Sequence, residues 1–334
     1  MRLGGALWAW CALLCAGSSW AADQSSQQAN QLIQSIKQRG GQCVPVSGGL
    51  GQKCTFQPGT FAGYPLRVTA YVPAGVSSIS SFYVHFHGWL VGEGQTYESI
   101  LRGFQFDKNL FEVAAIHNGV LIVPESKTYC VTFNEYFASV QNFNLFYAKM
   151  RSILRVGDAE KGEVFVSGHS GAQVAVGLLL RQALRPANAA AKITKVVLLD
   201  ASYNYVDAIQ AETDWVAQPG VGYERDLMVY YVPRWLSGIS PGGGTEFGAC
   251  LLAEKIFRKP AVFFDRTRLV RSDADFGVIC KNKQIQKQPF DVERKHASGA
   301  SVVVHGYVPK GPSNAHFQLA YDCMSRAWKG EVCR

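Results

Sequence analysis

Past its first 21 residues the chain lacks any uninterrupted apolar run of the roughly 20 residues needed to cross a bilayer, so no transmembrane segment is expected in the mature region. It lacks a dense basic block interleaved with aromatics, and nucleic acid is therefore not an expected partner. It has no internal repeat, which argues against a solenoid or propeller, and no His-x-Glu-x-x-His pattern of metal ligands. Acidic residues are in the minority, 25 against 33 Lys and Arg, for a formal charge of +8. That surplus fits an ordinary solvated exterior first, and after it an anionic envelope surface or an acidic substrate.

What is present begins with a leader. A single Arg2, an apolar stretch from Leu3 to about Leu14 and the triplet Ser19-Trp20-Ala21, small at its first and third positions, have the layout of a secretory signal peptide spanning residues 1–21. Leu14 ahead of Cys15 stands where a lipid-anchor signal wants a small residue, so a soluble secreted or periplasmic protein is expected. Removing Arg2 lowers the charge to +7. Of nine cysteines, Cys11 and Cys15 leave with this leader. Cys43, Cys54, Cys130, Cys250, Cys280, Cys323 and Cys333 remain, and in an oxidising compartment they are disulfide candidates before metal ligands. Proximity alone pairs Cys43 with Cys54 and Cys323 with Cys333, while the odd count leaves one thiol over.

Residues 22–64 read as an N-terminal extension. A polar, Gln-rich segment carries Leu32, Ile33 and Ile36 at near-helical spacing, as in a short peripheral surface helix, and GGQCVPVSGGLGQKCTF reads as a disulfide-closed hairpin. From Pro65 onward short apolar runs alternate with helical segments, the pattern of a mostly parallel sheet flanked by helices in an α/β domain over 65–334. PLRVTAYVP is an early strand. SSFYVHFHG, GVLIVPE, EVFVSGHS and TKVVLLDAS are the central ones, with helices over 142–154 and 171–184. Residues 203–299 read as one strand, DLMVYYVP, plus a cap or long insertion after the sixth strand. AVFFD is a second strand candidate within it, ASVVVHGYVP is a late strand, and NAHFQLAYDCMSRAWKG leads into a C-terminal helix. With 48% hydrophobic residues the chain can fill one large core.

The strongest chemical signal is Gly168-His169-Ser170-Gly171-Ala172, at the exit of an apolar strand and the entrance of a helix. A serine on so tight a turn is lifted above the sheet edge, and small neighbours are required because backbones converge there. A serine hydroxyl needs a base within hydrogen-bond reach and a group to orient that base.

At this motif the chain resembles the α/β-hydrolase superfamily of serine esterases and lipases, whose nucleophile motif is Gly-x-Ser-x-Gly, with Ala172 in place of the last glycine. The resemblance extends to His87-Gly88-Trp89 after an early central strand, where the backbone turns to offer an N–H to the developing oxyanion. It implies donors at Gly171 and at Trp89 or Leu90, with His87, Gly88, Gly168 and His169 supporting the turns. His316, between the late strand and the last helix, stands where that superfamily places its general base. His305 in a strand and His296 among charges are its rivals. Asp200, ending KVVLLD, completes the serine, acid, histidine order, and Asp265 is the fallback acid.

These residues imply hydrolysis of a carboxylic ester, small or polymeric, through an acyl-enzyme and without a cofactor. Three other readings stay open. One is an amidase or peptidase acting on envelope material. Another is a metal-dependent hydrolase, since His85 and His87 lie two apart on a strand and share a face on which His169 and Asp200 could join them. The third is a non-catalytic binding protein on the same fold.

Overall fold

The structure is a computed structural model. It describes residues 29–61, 63–76, 79, 81–88, 106–116, 119–126, 133–137, 139–154, 163–184, 192–203, 205–219, 222–233, 245–257, 263–264, 269–270, 291–308 and 315–333.

In chain order the strands are β1 (Gln42–Val46), β2 (Gly51–Phe61), β3 (Tyr64–Pro73), β4 (Ser81–Phe86), β5 (Val120–Pro124), β6 (Glu163–His169), β7 (Lys192–Leu199), β8 (Asp226–Tyr231), β9 (Phe263–Phe264), β10 (Leu269–Val270), β11 (Val292–Lys295) and β12 (Ser301–Gly306). All but β9 and β10 join one ten-stranded sheet, in the spatial order β1-β2-β3-β5-β4-β6-β7-β8-β12-β11. The six strands from β5 to β12 in this order run parallel, while β1, β2 and β3 at one side and β11 at the other are antiparallel to their neighbours. Of AVFFD only Phe263–Phe264 is described, and among the described residues this β9 pairs with β10 in a small separate two-stranded sheet.

Strand alternation sends side chains to two faces, and each face has its own core. On one, Val84, Phe86, Val164, Val166, Leu198 and Val229 join the helix over residues 29–38 (α1), α3 (Val140–Leu154), α4 (Gln173–Ala183), α5 (Val206–Ala217) and α6 (Thr245–Ile256). On the other, Tyr83, Phe165, Val197, Leu199 and Tyr230 pack against α2 (Phe106–Ala115) and α7 (Ala315–Trp328). Tyr83, Phe165 and Trp328 form an aromatic knot there, with ring centroids 4.8 to 5.5 Å apart.

Two expectations change. The helix α1 is not peripheral, because Leu32, Ile33 and Ile36 are buried in the main core. In the segment 203–299, α5, β8 and α6 belong to the repeating layers of the domain: Gly177 of α4 lies so close to α5 that an added Cβ would stand 2.6 Å from Ala208 Cα. Much of the rest of 203–299, including residues 234–244 and 271–290, lies outside the described residues.

Cys43–Cys54 closes the β1–β2 hairpin across directly opposed positions, and Cys323–Cys333 ties the chain's end to α7. Cys250 is disulfide-bonded as well. Among the described residues no helix is long and apolar enough to cross a membrane.

Candidate active site

The parallel strands all deliver their carboxyl ends to one edge. The chain passes from β4 outward to β5 and then back across to β6 on the other side of β4, and a crevice opens at such a reversal. Gly88 follows β4 and Ser170 follows β6, so both stand at this point.

Ser170 begins a tight helical turn, Ser170–Ala172, that runs into α4. Its φ of 56° lies in the left-handed region, a conformation that costs an L-residue about 1–2 kcal/mol. Close packing holds it. A Cβ on Gly168 would lie 2.9 Å from Val176 Cγ2 and 3.1 Å from Ala172 Cβ, so glycine is needed at 168, and the methyl of Ala172 fills the space that opposes it. On the other side, a Cβ on Gly88 would stand 2.7 Å from Ser170 Cβ and 3.2 Å from the His169 carbonyl oxygen. Gly88, just past the end of β4, therefore lies directly against the serine. Gly171, whose N–H follows the serine, is buried in the same turn. Trp89, Leu90 and Asp265 lie outside the described residues.

Asp200 directly follows β7, with a φ of 47°. Its N–H donates to the Tyr230 carbonyl at 2.7 Å. Oδ1 accepts from the Val232 N–H at 2.9 Å and from the Thr245 hydroxyl, which leaves Oδ2 facing His316 Nδ1 at 2.5 Å. Thr245 is the first residue of α6, and α6 can approach because Gly248 has no side chain: a Cβ there would collide with the Ser202 carbonyl. Asp200 is thus clamped by the end of β8 and the start of α6 in an orientation that serves one histidine. His316 sits in the first turn of α7, partly buried.

His169 links the serine turn to His316. Its Nε2 lies 3.1 Å from the His316 carbonyl oxygen, which can only accept, so Nε2 carries the proton. The two imidazoles lie against each other at a tilt, with centroids 4.5 Å apart and planes 31° off parallel. Burial first, then the neighbouring His316, pushes His169 well below the usual histidine range, so it remains a neutral spacer.

His87 is fully determined by its partners. The Ser126 N–H donates to Nε2 at 3.1 Å, so Nδ1 holds the proton and donates to the Gly88 carbonyl at 2.9 Å. Burial lowers its pKa to about 4. His85 Nδ1 meets the Ser167 hydroxyl at 2.8 Å, and burial followed by His87 lowers its pKa to about 3. With both His87 nitrogens spent on backbone groups and His169 Nε2 on His316, the shared-face metal arrangement meets side chains already committed to the protein. Among the described residues there is no cluster of three or more His, Cys, Asp or Glu disposed to hold a metal.

The rival histidines lie elsewhere. His305, in β12, pairs through Nδ1 with Asp291 at 2.6 Å and packs edge-on against Tyr230. His296 bonds Ser298 in the turn between β11 and β12.

Three features were missed in the sequence. The Tyr203 hydroxyl lies 3.5 Å from Ser170 Oγ; an aromatic in a loop carries no signal of that kind. Thr245 as an Asp200 partner depends on a contact 45 residues away. The third is Gln173, at the start of α4, whose amide donates to the fully buried Glu212 at 3.2 Å. Burial raises that carboxyl to about 8. This last feature was legible: Ala208, Ile209, Ala211, Trp215 and Val216 mark the buried face of α5, and Glu212 falls within it.

The sheet order, the strained serine turn and the glycine packed against it define an α/β-hydrolase fold. No protein-family model and no curated sequence matches the chain. Among solved structures, the chain is similar to an arylesterase at 17% identity, with 59% of this chain and 58% of that chain covered and a TM-score of 0.29. It is similar to LpqC, a poly(3-hydroxybutyrate) depolymerase from Bordetella parapertussis, at 12% identity over 91% of this chain and 94% of that one, TM-score 0.43. An S-formylglutathione hydrolase from Agrobacterium tumefaciens aligns at 10% identity over 85% and 96%, TM-score 0.43.

Proposed function

We propose that the chain is an exported serine hydrolase that cleaves a carboxylic ester, with Ser170 as nucleophile, His316 as general base and Asp200 as the acid that orients it. The observation that carries this reading is the clamped Asp200–His316 pair at 2.5 Å, tied to His169, the residue that precedes a serine in a strained turn. A carboxylate held in this way fixes the imidazole with Nδ1 protonated and Nε2 directed outward as a base.

In acylation, His316 Nε2 takes the Ser170 proton as Oγ bonds to the acyl carbon. The carbonyl oxygen becomes an oxyanion facing the Gly171 N–H, and one such donor contributes about 3 kcal/mol. Collapse breaks the bond to the alcohol oxygen, which takes the proton back from His316. Water then repeats the sequence on the acyl-enzyme. The Cys43–Cys54 and Cys323–Cys333 disulfides and the leader pattern support export.

Turnover of p-nitrophenyl esters by the purified mature protein, with Ser170→Ala as control, tests the proposal. Hydrolysis that falls at least about a thousandfold in the variant is the expected result. Turnover that survives the substitution refutes the serine mechanism.

A further inference from the structure

Ser170 Oγ has a protein neighbour that the triad does not use. The Tyr203 hydroxyl stands 3.5 Å away, beyond the 2.7–2.8 Å of a committed O–H···O bond and close enough that any oxygen bound at the reacting carbon comes within its reach. Its position follows from the sheet order. Gly88 emerges from β4 on one side of Ser170, whereas Tyr203 follows Asp200 at the end of β7 on the other.

The two sides have different chemistry. Gly88, with its carbonyl held by His87 and its Cα against Ser170 Cβ, borders the side where the oxyanion forms. The β7 side carries Asp200 and, through it, His316. The alcohol oxygen must lie there, because it receives its proton from that imidazole. Tyr203 therefore borders the leaving group and not the oxyanion.

We infer that Tyr203 is a further catalytic residue, whose phenol donates a hydrogen bond to the departing alcohol oxygen and so adapts the site to esters of poorly acidic, alkyl alcohols. This rests on the serine-hydrolase reading above. The step balances without a further reagent. The acyl carbon–oxygen bond breaks, its electron pair goes to the alcohol oxygen, His316 supplies the proton, and Tyr203 keeps its own while stabilising the charge as it develops. A p-nitrophenolate needs little such help because its charge is delocalised over the ring; an ethoxide needs much.

The substrate environment agrees. Tyr205, whose ring lies 6.1 Å from that of Tyr203, is 40% exposed, and the adjoining Val206 is 65% exposed. Tyr203 and Tyr205 thus give the leaving-group side an aromatic border suited to an alkyl chain.

The test compares an ethyl ester and a p-nitrophenyl ester of the same acyl group, in wild type and Tyr203→Phe. It reads kcat/KM, which reports steps up to release of the alcohol. The ratio of ethyl to p-nitrophenyl kcat/KM is expected to fall about tenfold or more in the variant, the loss of one charge-stabilising hydrogen bond. Equal losses on the two esters would mean that the phenol merely positions the serine, and would overturn the inference, as would no loss or a greater loss on the p-nitrophenyl ester. A fluorophosphonate applied to wild type separates this from failure of the underlying reading. If it does not label Ser170, the serine mechanism falls and this role with it; if it labels Ser170 and the ratio is unmoved, only the role of Tyr203 falls.

Discussion

Gly88 and Ser170 are packed so closely that the space for a methyl group on one is already occupied by the Cβ of the other, 2.7 Å from where it would stand. Gly88→Ala forces the turn after β4 away from the serine. Its expected effect is a loss of about a hundredfold in kcat, since a misplaced oxyanion donor costs about 3 kcal/mol. The folded protein should persist, because the turn lies at the sheet edge. Ester kinetics beside a thermal melt check both points.

Asp200 is the second test of geometry. Asp200→Asn keeps the size of the side chain but allows an N–H to face His316 Nδ1, which favours the wrong tautomer. kcat should fall about ten-thousandfold, the cost of the same exchange in a serine-protease triad. Thr245→Val removes one donor to Oδ1 and should cost about tenfold, the size of one hydrogen bond to a charged group. A Thr245→Val effect equal to that of Asp200→Asn would show that the helix, and not the carboxylate, is at fault.

Two sets of buried groups bend stability with pH in opposite directions. His85 and His87, lowered by burial to about 3 and about 4 from 6.5, and His169, also lowered well below 6.5, stay neutral when folded. Below pH 6.5 the unfolded chain binds protons the native state refuses, so stability is lost as pH falls from 6.5 toward 4. Glu212, raised to about 8 from 4.5, binds a proton in the native state that the unfolded chain has released. Its contribution to stability is lost as pH rises from 4.5 to about 8. Melting temperatures of wild type and Glu212→Gln across pH 4–9 check the signs. The variant should gain on wild type steadily up to about pH 8, and both should decline on the acid side. A constant difference would mean that Glu212 titrates alike in the folded and unfolded chain.

Cys323–Cys333 closes a short loop, with a sequence separation of 10, that holds the chain end against the helix carrying His316 and Trp328. Replacing both cysteines by serine should cost about 3 kcal/mol of stability, measured by denaturant unfolding. Because His316 lies seven residues upstream of Cys323, near the other end of α7 and bound to Asp200, the activity of the folded variant should stay within about threefold of wild type.

The elements that were legible in the sequence owe it to short-range causes. Val164, Phe165 and Val166 announce a strand buried on both faces. The small residues around Ser170 announce a tight turn, and Cys43 and Cys54 announce a hairpin that the register then pairs directly. His316 was distinguishable from His305 by its place at a helix entrance rather than in a strand, and it is the one that meets Asp200. What escaped depends on distant partners. His85 and His87, two apart on one strand, have the spacing of ligands, yet Ser167, Ser126 and the Gly88 carbonyl engage them. Tyr203 gains its interest only from the side of Ser170 on which β7 ends. Phe263–Phe264, the described part of AVFFD, pairs with β10, while β12 lies beside β8.

The central claim is that His316 takes the proton from Ser170. A fluorophosphonate probe with peptide mapping tests it most directly, because the reaction needs an activated serine and no particular ester. The predicted result is a single adduct on Ser170 in wild type, absent in Ser170→Ala and slowed at least about a thousandfold in His316→Ala. Labelling at another serine, or labelling of Ser170 at an unchanged rate without His316, would contradict it.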